Sequence, residues 1–421
     1  MIETHLLVLV HGMWGNPEHL AELARIARET HGSETGTDAM SLHILVAETI
    51  REESTYDGAD WGGERVASEV LEAVKTLEAE GRGVTRFSVT GYSLGGLIAR
   101  YCIGVLHSKG FFEKIEPINF NTIATPHCGL PKYPSFLSTL SMTIGSKLLS
   151  RTGEQFYCLD KWSPKGRPLL VVMADPERVF HQALAKFKHI RVYANAVNDL
   201  TVPYVTAAIE TSDPFAEAET NGIYVNFKEK YDCVIDTYAV PDVPPPKPPK
   251  PTILTAKWFK SLRPSNPSNL VLYSLLPLLI PTLVPPLLLY SLHASHVSQK
   301  RVKALELEVR ASGQQKLQHI LAELDREMEE AVVDLIDNPD PSPKSRCGSA
   351  EGAVRRAHPI ITPTHERIAL WLNALPIKKE LGFFPTMINS HAVIICRDVK
   401  RFEANKLGEG VVRHWADSFI L

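Results

Sequence analysis

The sequence predicts an α/β fold with a mostly parallel central sheet, and three observations carry that prediction. Short apolar runs typical of buried strands alternate with longer segments of helical periodicity through the first half of the chain. Those helical segments are long enough to form the crossovers that parallel strands require. In addition, a serine in the stretch VTGYSLGG lies where one predicted strand meets the next predicted helix.

The alternation runs from Leu6 to about Ile209. The main predicted elements are strands at 6–10, 41–48, 86–92, 118–125 and 189–197 and helices at 17–32, 63–81 and 94–106. Residues 131–188 are mainly helical and rich in Leu, Phe and Met, so we expect them to form a cap over the edge of the sheet. The predicted core, with this cap inserted, spans residues 1–240.

Composition excludes several classes of function. The chain has 421 residues, of which 44% are hydrophobic, and a net charge of −3, so it carries no basic excess for binding nucleic acid. Its six cysteines are scattered without metal-ligand spacing, and no metal or cofactor is predicted. The N-terminal stretch MIETHLLVLVHG lacks the basic start and long apolar run of a secretory signal, so we expect a protein that is not secreted.

After residue 240 the sequence changes character. The predicted segments are a proline-rich linker at 241–263, an apolar segment at 264–299, a long amphipathic helix and a loop at 300–350, and a return of mixed elements at 351–421. The apolar periodicity of the long helix extends over about 297–337. We expect 351–421 to complete the core.

The apolar segment 264–299 contains no Asp, Glu, Lys or Arg. It is long enough to cross a bilayer, but prolines at 277, 281, 285 and 286 argue against one straight helix. Basic residues flank both ends, whereas a single span usually shows a basic bias on one side. We therefore predict a hairpin or interfacial anchor on a lipid-droplet or membrane surface. A bilayer span and a buried or lid role remain alternatives.

The stretch Gly91-Tyr92-Ser93-Leu94-Gly95 is a G-x-S-x-G motif between a predicted strand and a predicted helix. A serine on such a strained turn projects its hydroxyl at the carboxyl edge of the sheet, and the glycines relieve crowding around it. The following helix also directs its amide dipoles toward developing negative charge. This placement predicts that Ser93 is a nucleophile.

A second element, the His11-Gly12 pair, ends the first predicted strand. A loop of this kind can turn backbone N–H groups toward the nucleophile. A tetrahedral intermediate needs two such donors, and we expect them to be the amides of Met13 and Leu94, with Trp14 as the alternative to Met13. Loop- and substrate-shaping roles are predicted for the following residues: His11, Gly12, Trp14 and Tyr92.

A nucleophilic serine needs a histidine base, and the histidine needs an acid that orients it. With the chain order Ser, Asp, His, the favoured acid is Asp199, in a turn after a predicted strand. Asp175 and Asp160 are weaker candidates because they lie in the predicted cap. The favoured base is His391, in a loop between ordered segments. The other histidines after Asp199 are His293, His296, His319, His358 and His365, of which the last two are the fallbacks.

Five motifs in order resemble the intracellular serine-esterase lipases of fungi and other eukaryotes, namely LVLVHGMWGN, GYSLGGLIARY, NTIATPHCGLP, YANAVNDLTVPY and NSHAVIICRD. These are α/β-hydrolases, and their fungal members include a lipid-droplet phospholipase. The resemblance covers Leu6 to about Ile209 and the last sixty residues. It implies Ser93, Asp199 and His391 as the triad.

The resemblance and the apolar segment together predict a hydrolase of lipid acyl esters, with glycerophospholipids as the first substrate class. A neutral-glyceride lipase and an acyltransferase are the alternatives, and a non-catalytic lipid-surface protein is a more distant one. The expected location is a lipid droplet or the cytosolic face of the endoplasmic reticulum. Oligomeric state is not predicted.

Overall fold

A computed structural model describes residues 2–32, 40–243, 245, 285–286, 288–307 and 358–421. Over these residues eight strands form one sheet in the order β2-β1-β3-β4-β5-β8-β7-β6. Their bounds are β1 Ile2–Val10, β2 Met40–Val46, β3 Arg82–Tyr92, β4 Glu116–Ile123, β5 His189–Asn195, β6 Tyr224–Lys228, β7 Tyr231–Ala239 and β8 Ile377–Gly382. The first five strands and β8 run parallel to one another. Strand β7 is antiparallel to both of its neighbours, β8 and β6. The predicted α/β fold with a mostly parallel sheet is confirmed.

Helices connect the strands and cover the sheet. Their bounds are α1 Ala21–His31, α2 Ala59–Ala79, α3 Leu94–Ser108, α4 Phe136–Leu148, α5 Ser150–Phe156, α6 Leu169–Ala174, α7 Val179–Ala185, α8 Tyr204–Ala207, α9 288–307, α10 Pro363–Asn373 and α11 Glu409–Asp417. A short 3-10 helix, Glu52–Tyr56, precedes α2.

The central strands of the sheet are buried on both faces, which explains why the sequence of β1 is a continuous apolar run. Leu6, Val8 and Val10 pack into the core formed with α2, α3, α6, α7 and α10. Leu7 and Leu9 point to the opposite core, formed with α1 and α11. Successive side chains of a strand alternate between faces, so a strand covered on both sides needs apolar residues at every position.

The segment predicted as a cap divides into two parts. Leu169–Ala174 (α6) is buried along its whole length and belongs to the helical layer over the sheet. A helix that is apolar on all sides needs burial on all sides, which a cap at the surface does not provide. The earlier part of 131–188 forms α4 and α5, and whether these helices act as a cap stays a prediction.

The described part of α9 begins within the segment predicted as a lipid anchor and continues to residue 307. Ala294 and Ser298 are buried against the core, and the Ser295 hydroxyl donates to the Lys147 carbonyl at the end of α4 (3.2 Å). Residues 264–284 of the predicted anchor, and the predicted helix beyond 307, lie outside the described residues. In the described part of the chain, no helix combines the length and hydropathy needed to cross a membrane.

Candidate active site

Ser93 occupies the turn between β3 and α3 with a backbone φ of 55°. Positive φ is rare for a residue with a side chain and is a form of local strain found at functional turns. The flanking glycines make the turn possible. A Cβ at Gly91 would lie 2.4 Å from Gly96 Cα, and one at Gly95 would lie 2.1 Å from the Val10 carbonyl oxygen. The glycines therefore allow three backbone segments to meet at the serine.

The loop after β1 crosses directly over this turn. A Cβ at Gly12 would stand 2.7 Å from Ser93 Cβ, so only glycine permits the approach. Further along, a Cβ at Gly15 would lie 2.5 Å from His11 Nδ1, which shows how tightly the loop is folded. The loop 11–15 is thus fixed against the serine by backbone packing, as the His11-Gly12 pair predicted.

The choice between Met13 and Trp14 as an oxyanion donor depends on which backbone amide is already hydrogen-bonded within the protein. The Trp14 amide already donates to Thr55 Oγ1 (3.2 Å). The Met13 amide donates to no protein acceptor among the described residues. Leu94 is the first residue of α3, so its amide has no acceptor one turn earlier in the helix. The hydrogen bonding therefore favours the pair Met13 and Leu94 over a pair that includes Trp14.

His391 reaches the serine from the C-terminal part of the chain. Its Nε2 lies 3.1 Å from Ser93 Oγ, and its Nδ1 lies 3.0 Å from Asp199 Oδ2. The Asp199 side chain is 1% exposed and that of His391 is 10% exposed. The structure thus joins the three residues predicted as nucleophile, base and acid in one line of hydrogen-bond contacts.

Two neighbouring loops hold the histidine in this position. Ser390 donates its amide to the Asn198 carbonyl (2.8 Å) and its hydroxyl to the Val197 carbonyl (2.9 Å). Tyr92, directly before the nucleophile, donates its hydroxyl to the His391 carbonyl (3.0 Å), and its ring lies 5.1 Å from the imidazole. Tyr92 was predicted to shape the site. Ser390 was missed, because one hydrogen-bonding serine among many gives no signal in the sequence.

Asp199 is oriented by its own loop. Its Oδ1 accepts from the amides of Thr201 (3.0 Å) and Val202 (2.8 Å), while Asn195 Nδ2 donates to its Oδ2 (2.7 Å). These contacts fix the carboxylate with Oδ2 directed at the imidazole. Asn195, the last residue of β5, is a second contributor that the sequence did not reveal.

The other candidate acids and bases have partners elsewhere. Asp175 pairs with Arg167 (2.6 Å), and Asp160 accepts from the Leu169 amide (2.8 Å). His365 is buried with its Nε2 2.8 Å from the Glu210 carbonyl, and His358 is an exposed side chain 3.7 Å from Glu217. His293 and His296 are exposed on α9, and His319 lies outside the described residues.

His11 is fully buried in the loop over the serine. Burial lowers the pKa of its imidazole to about 4, so the ring is neutral near pH 7. Its Nδ1 lies 3.1 Å from the Gly12 carbonyl oxygen, within the same loop. These contacts fit the predicted loop-shaping role better than that of a general base.

A cavity of about 430 Å³ has Asp199 among its lining residues. Its lining combines the loop 195–200 with polar side chains from the segment before α4 and from the turn after α8, among them Tyr133, Ser135 and Asp213. Burial raises the pKa of the Asp213 carboxyl. The cavity therefore combines a largely apolar surface with a few polar groups, and it opens beside the acid of the site.

A serine on a strand-to-helix turn, with a histidine and a buried aspartate supplied later in the chain at the same edge of a mostly parallel sheet, defines an α/β-hydrolase. Residues 2–213 match the family described as "Putative serine esterase (DUF676)", and the chain belongs to that family.

Curated relatives carry lipase descriptions. "Putative lipase C4A8.10" of Schizosaccharomyces pombe is 31% identical over 224 residues, which cover 52% of this chain and 28% of the relative. "Putative lipase ROG1" of Saccharomyces cerevisiae is 29% identical over 210 residues, which cover 49% of this chain and 28% of the relative. The chain thus spans less than a third of the length of these relatives.

Solved structures that resemble this chain are more distant. A Lactobacillus plantarum protein described as a "putative cell surface hydrolase" is 14% identical, with 48% of this chain and 74% of that chain covered and a TM-score of 0.28. A mutant of the esterase LipA of Xanthomonas oryzae is also 14% identical, with 48% and 68% covered and a TM-score of 0.26.

Proposed function

We propose that this protein is a serine hydrolase that cleaves acyl esters of lipids, with glycerophospholipids as the first substrate class. The observation that carries the proposal is the line of contacts from Ser93 through His391 to Asp199. Membership of a serine-esterase family supports the same reaction type. The lipase descriptions of the relatives support a lipid ester as substrate.

In the proposed reaction Ser93 Oγ attacks the acyl carbonyl while His391 Nε2 takes its proton. Asp199 holds the imidazole with Nδ1 protonated and stabilises the imidazolium that forms. The amides of Met13 and Leu94 bind the oxyanion, and the N-terminus of α3 adds its dipole. His391 then passes the proton to the leaving alcohol, and water attacks the acyl-enzyme with His391 again acting as base.

The surface next to the loop 11–15 supports an insoluble substrate. Trp14 is 54% exposed and its indole donates to the Tyr56 hydroxyl, while Tyr290 of α9 is 48% exposed. Further exposed apolar side chains on α4 and α9 are Leu140, Ile144, Leu288, Leu289 and Leu292. We call these side chains, together with Trp14 and Tyr290, the apolar rim. An exposed group of this kind fits contact with a lipid surface.

The choice of glycerophospholipid over neutral glyceride rests on the cavity beside Asp199. Its lining is largely apolar but also carries the Tyr133 phenol and the Asp213 carboxyl, which can hydrogen-bond a polar head group and have no such partner in an acyl chain. A neutral-glyceride lipase and an acyltransferase use the same acyl-enzyme and are the second candidates. A non-catalytic lipid-surface protein would have no need of the contacts between Ser93, His391 and Asp199.

Two measurements on the purified full chain test the proposed reaction. We expect covalent labelling by a fluorophosphonate probe, because an activated serine beside a histidine attacks phosphorus as it attacks a carbonyl. In a panel of phospholipid, diacylglycerol and triacylglycerol emulsions, we expect release of fatty acid to be fastest from phospholipid. Failure to label would contradict the hydrolase. Faster triacylglycerol cleavage would leave the hydrolase but exclude the phospholipid preference, and transfer to an added alcohol would indicate an acyltransferase.

The proposed location is a lipid droplet or the cytosolic face of the endoplasmic reticulum, reached through the segment 264–299. Since 288–299 belong to α9, deleting only residues 264–284 keeps the packed helix. We expect this deletion to move the protein from droplets or membranes to the soluble fraction. We also expect hydrolysis of a soluble short-chain ester to stay within about twofold, because the deletion spares every side chain of the site. Continued flotation of the shortened protein with lipid would exclude the anchor.

A further inference from the structure

Two residues of helix α9 bind the same buried carboxylate of the core, Asp57. Arg301 forms a bidentate contact with Asp57. Its Nε donates to Oδ2 (2.8 Å), and one terminal nitrogen donates to Oδ1 (2.7 Å). The Ser298 hydroxyl donates to the same Oδ1 (2.7 Å), and Arg65 of α2 donates to Oδ2 (2.6 Å). Asp57 has no exposed surface. Paired, charge-assisted bonds of this kind fix geometry as well as add energy.

The carboxylate lies directly after the 3-10 helix Glu52–Tyr56, and this short helix holds the loop over the serine. Thr55 Oγ1 accepts from the Trp14 amide (3.2 Å), and the Tyr56 hydroxyl accepts from the Trp14 indole (2.8 Å). At its start, the Glu52 amide donates to the Gly15 carbonyl (3.0 Å). Three hydrogen bonds therefore tie residues 14 and 15 to Glu52–Tyr56.

The two sets of contacts form one path. It leads from Arg301 to Asp57, along the chain to Tyr56 and Thr55, and across to Trp14, whose neighbour Met13 carries the proposed oxyanion donor. A third bond from Arg301, to the Glu53 carbonyl (3.0 Å), contacts the short helix directly. Because an oxyanion donor must lie within a few tenths of an ångström of its ideal place, a shift anywhere along this path affects turnover.

We propose that Arg301 is a positioning residue that holds the oxyanion loop in its active shape through Asp57. The inference rests on the proposed hydrolase function. It assigns α9 a role beyond attaching the chain to lipid, because the helix that carries part of the apolar rim also sets the geometry of the site. Arg301 touches neither substrate nor the reacting atoms.

The test compares Arg301→Met with Arg65→Met in the full chain, using a soluble p-nitrophenyl ester. Both variants remove one arginine from the same carboxylate, but only Arg301→Met removes the arginine that joins α9 to Asp57 and to the Glu53 carbonyl. Arg65 and Ser298 remain to satisfy Asp57 in Arg301→Met, so we expect it to fold. We expect kcat to fall about tenfold with KM within twofold, because a misplaced oxyanion donor affects the transition state more than substrate binding. Arg65→Met should keep kcat within twofold.

Arg301→Lys and a double variant make the test independent of folding. Lysine keeps the charge but not the two-pronged contact, so its kcat should lie between those of the wild type and Arg301→Met. Trp14→Phe loses the bond to Tyr56 at an exposed position, so folding is retained, and it should lower kcat by a similar factor. If both changes act along one path, the double variant will lose clearly less than the product of the two single losses.

Several outcomes would overturn the proposal. These are an unchanged kcat in Arg301→Met, an equal loss in Arg65→Met, a loss in the double variant equal to the product of the single ones, or a loss that disappears at temperatures well below the melting point of each variant. Should the arginine variants fail to fold, an unchanged kcat in Trp14→Phe alone would also overturn it. A wild type that neither labels with a fluorophosphonate nor hydrolyses the ester would instead contradict the proposed function.

Discussion

Replacing Ser93 by alanine is expected to lower kcat for an ester substrate by roughly 10⁵-fold, equivalent to about 7 kcal/mol of transition-state stabilisation. Its hydroxyl lies 3.1 Å from the imidazole, whereas the hydroxyl of the preceding Tyr92 donates to the His391 carbonyl. Alanine also removes one atom without disturbing the backbone that the glycines arrange. The initial rate on a soluble p-nitrophenyl ester, together with fluorophosphonate labelling, measures the loss.

A matched control is Ser108→Ala, which changes another serine at the end of the same helix α3. The Ser108 hydroxyl bonds only to the Val105 carbonyl (2.8 Å), far along the helix from the turn, so its loss should leave labelling unchanged. If Ser93→Ala labels as strongly as the wild type while keeping its fold by circular dichroism, Ser93 is not the nucleophile.

Replacing Asp199 by asparagine is expected to lower kcat by about 10³- to 10⁴-fold. An amide nitrogen facing His391 Nδ1 would repel a protonated Nδ1, so the imidazole would be left in the wrong tautomer to accept the serine proton at Nε2. The amides of Thr201 and Val202 hold Oδ1, which leaves the nitrogen to occupy the Oδ2 position beside the imidazole. The pH profile of kcat/KM on a soluble ester, followed with the wild type, measures the change.

Asp175→Asn provides the comparison, because Asp175 was the alternative acid in the sequence and pairs with Arg167 instead. We expect this variant to lose thermal stability while keeping kcat within twofold. An Asp199→Asn variant that retains more than a tenth of wild-type activity would exclude Asp199 as the acid.

Much of the fold was predictable because parallel strands leave a strong signal. Five apolar residues in succession at Leu6–Val10 require a strand covered on both faces. The structure places this strand, β1, inside the sheet between β2 and β3. In contrast, β8 reads IKKELG and carries charges that are paired across the sheet, as in the contact between Glu380 and Arg191 (3.5 Å). Such a strand has no apolar pattern, so it was not predicted.

The candidate site was predictable where the chemistry demands particular residue types at particular places. Ser93 follows from its glycines, and Asp199 and His391 follow from chain order and loop position. Their supporting partners Ser390 and Asn195 act through single hydrogen bonds, which depend on how two distant loops meet. The grip of Arg301 on Asp57 joins residues 244 positions apart and is likewise invisible until the chain is folded.

The order of the sheet has a consequence for the chain during its synthesis. Strand β8 lies between β5 and β7, and the histidine beside Ser93 is 298 residues later than the serine. A nascent chain that has reached only residue 240 holds the nucleophile turn and the loop 11–15 but leaves the β5 edge unpaired and the serine without its base. Any hydrolysis must therefore await translation of the segment that carries β8 and His391. Until then the unpaired edge of β5 is exposed to aggregation, against which chaperones would protect it.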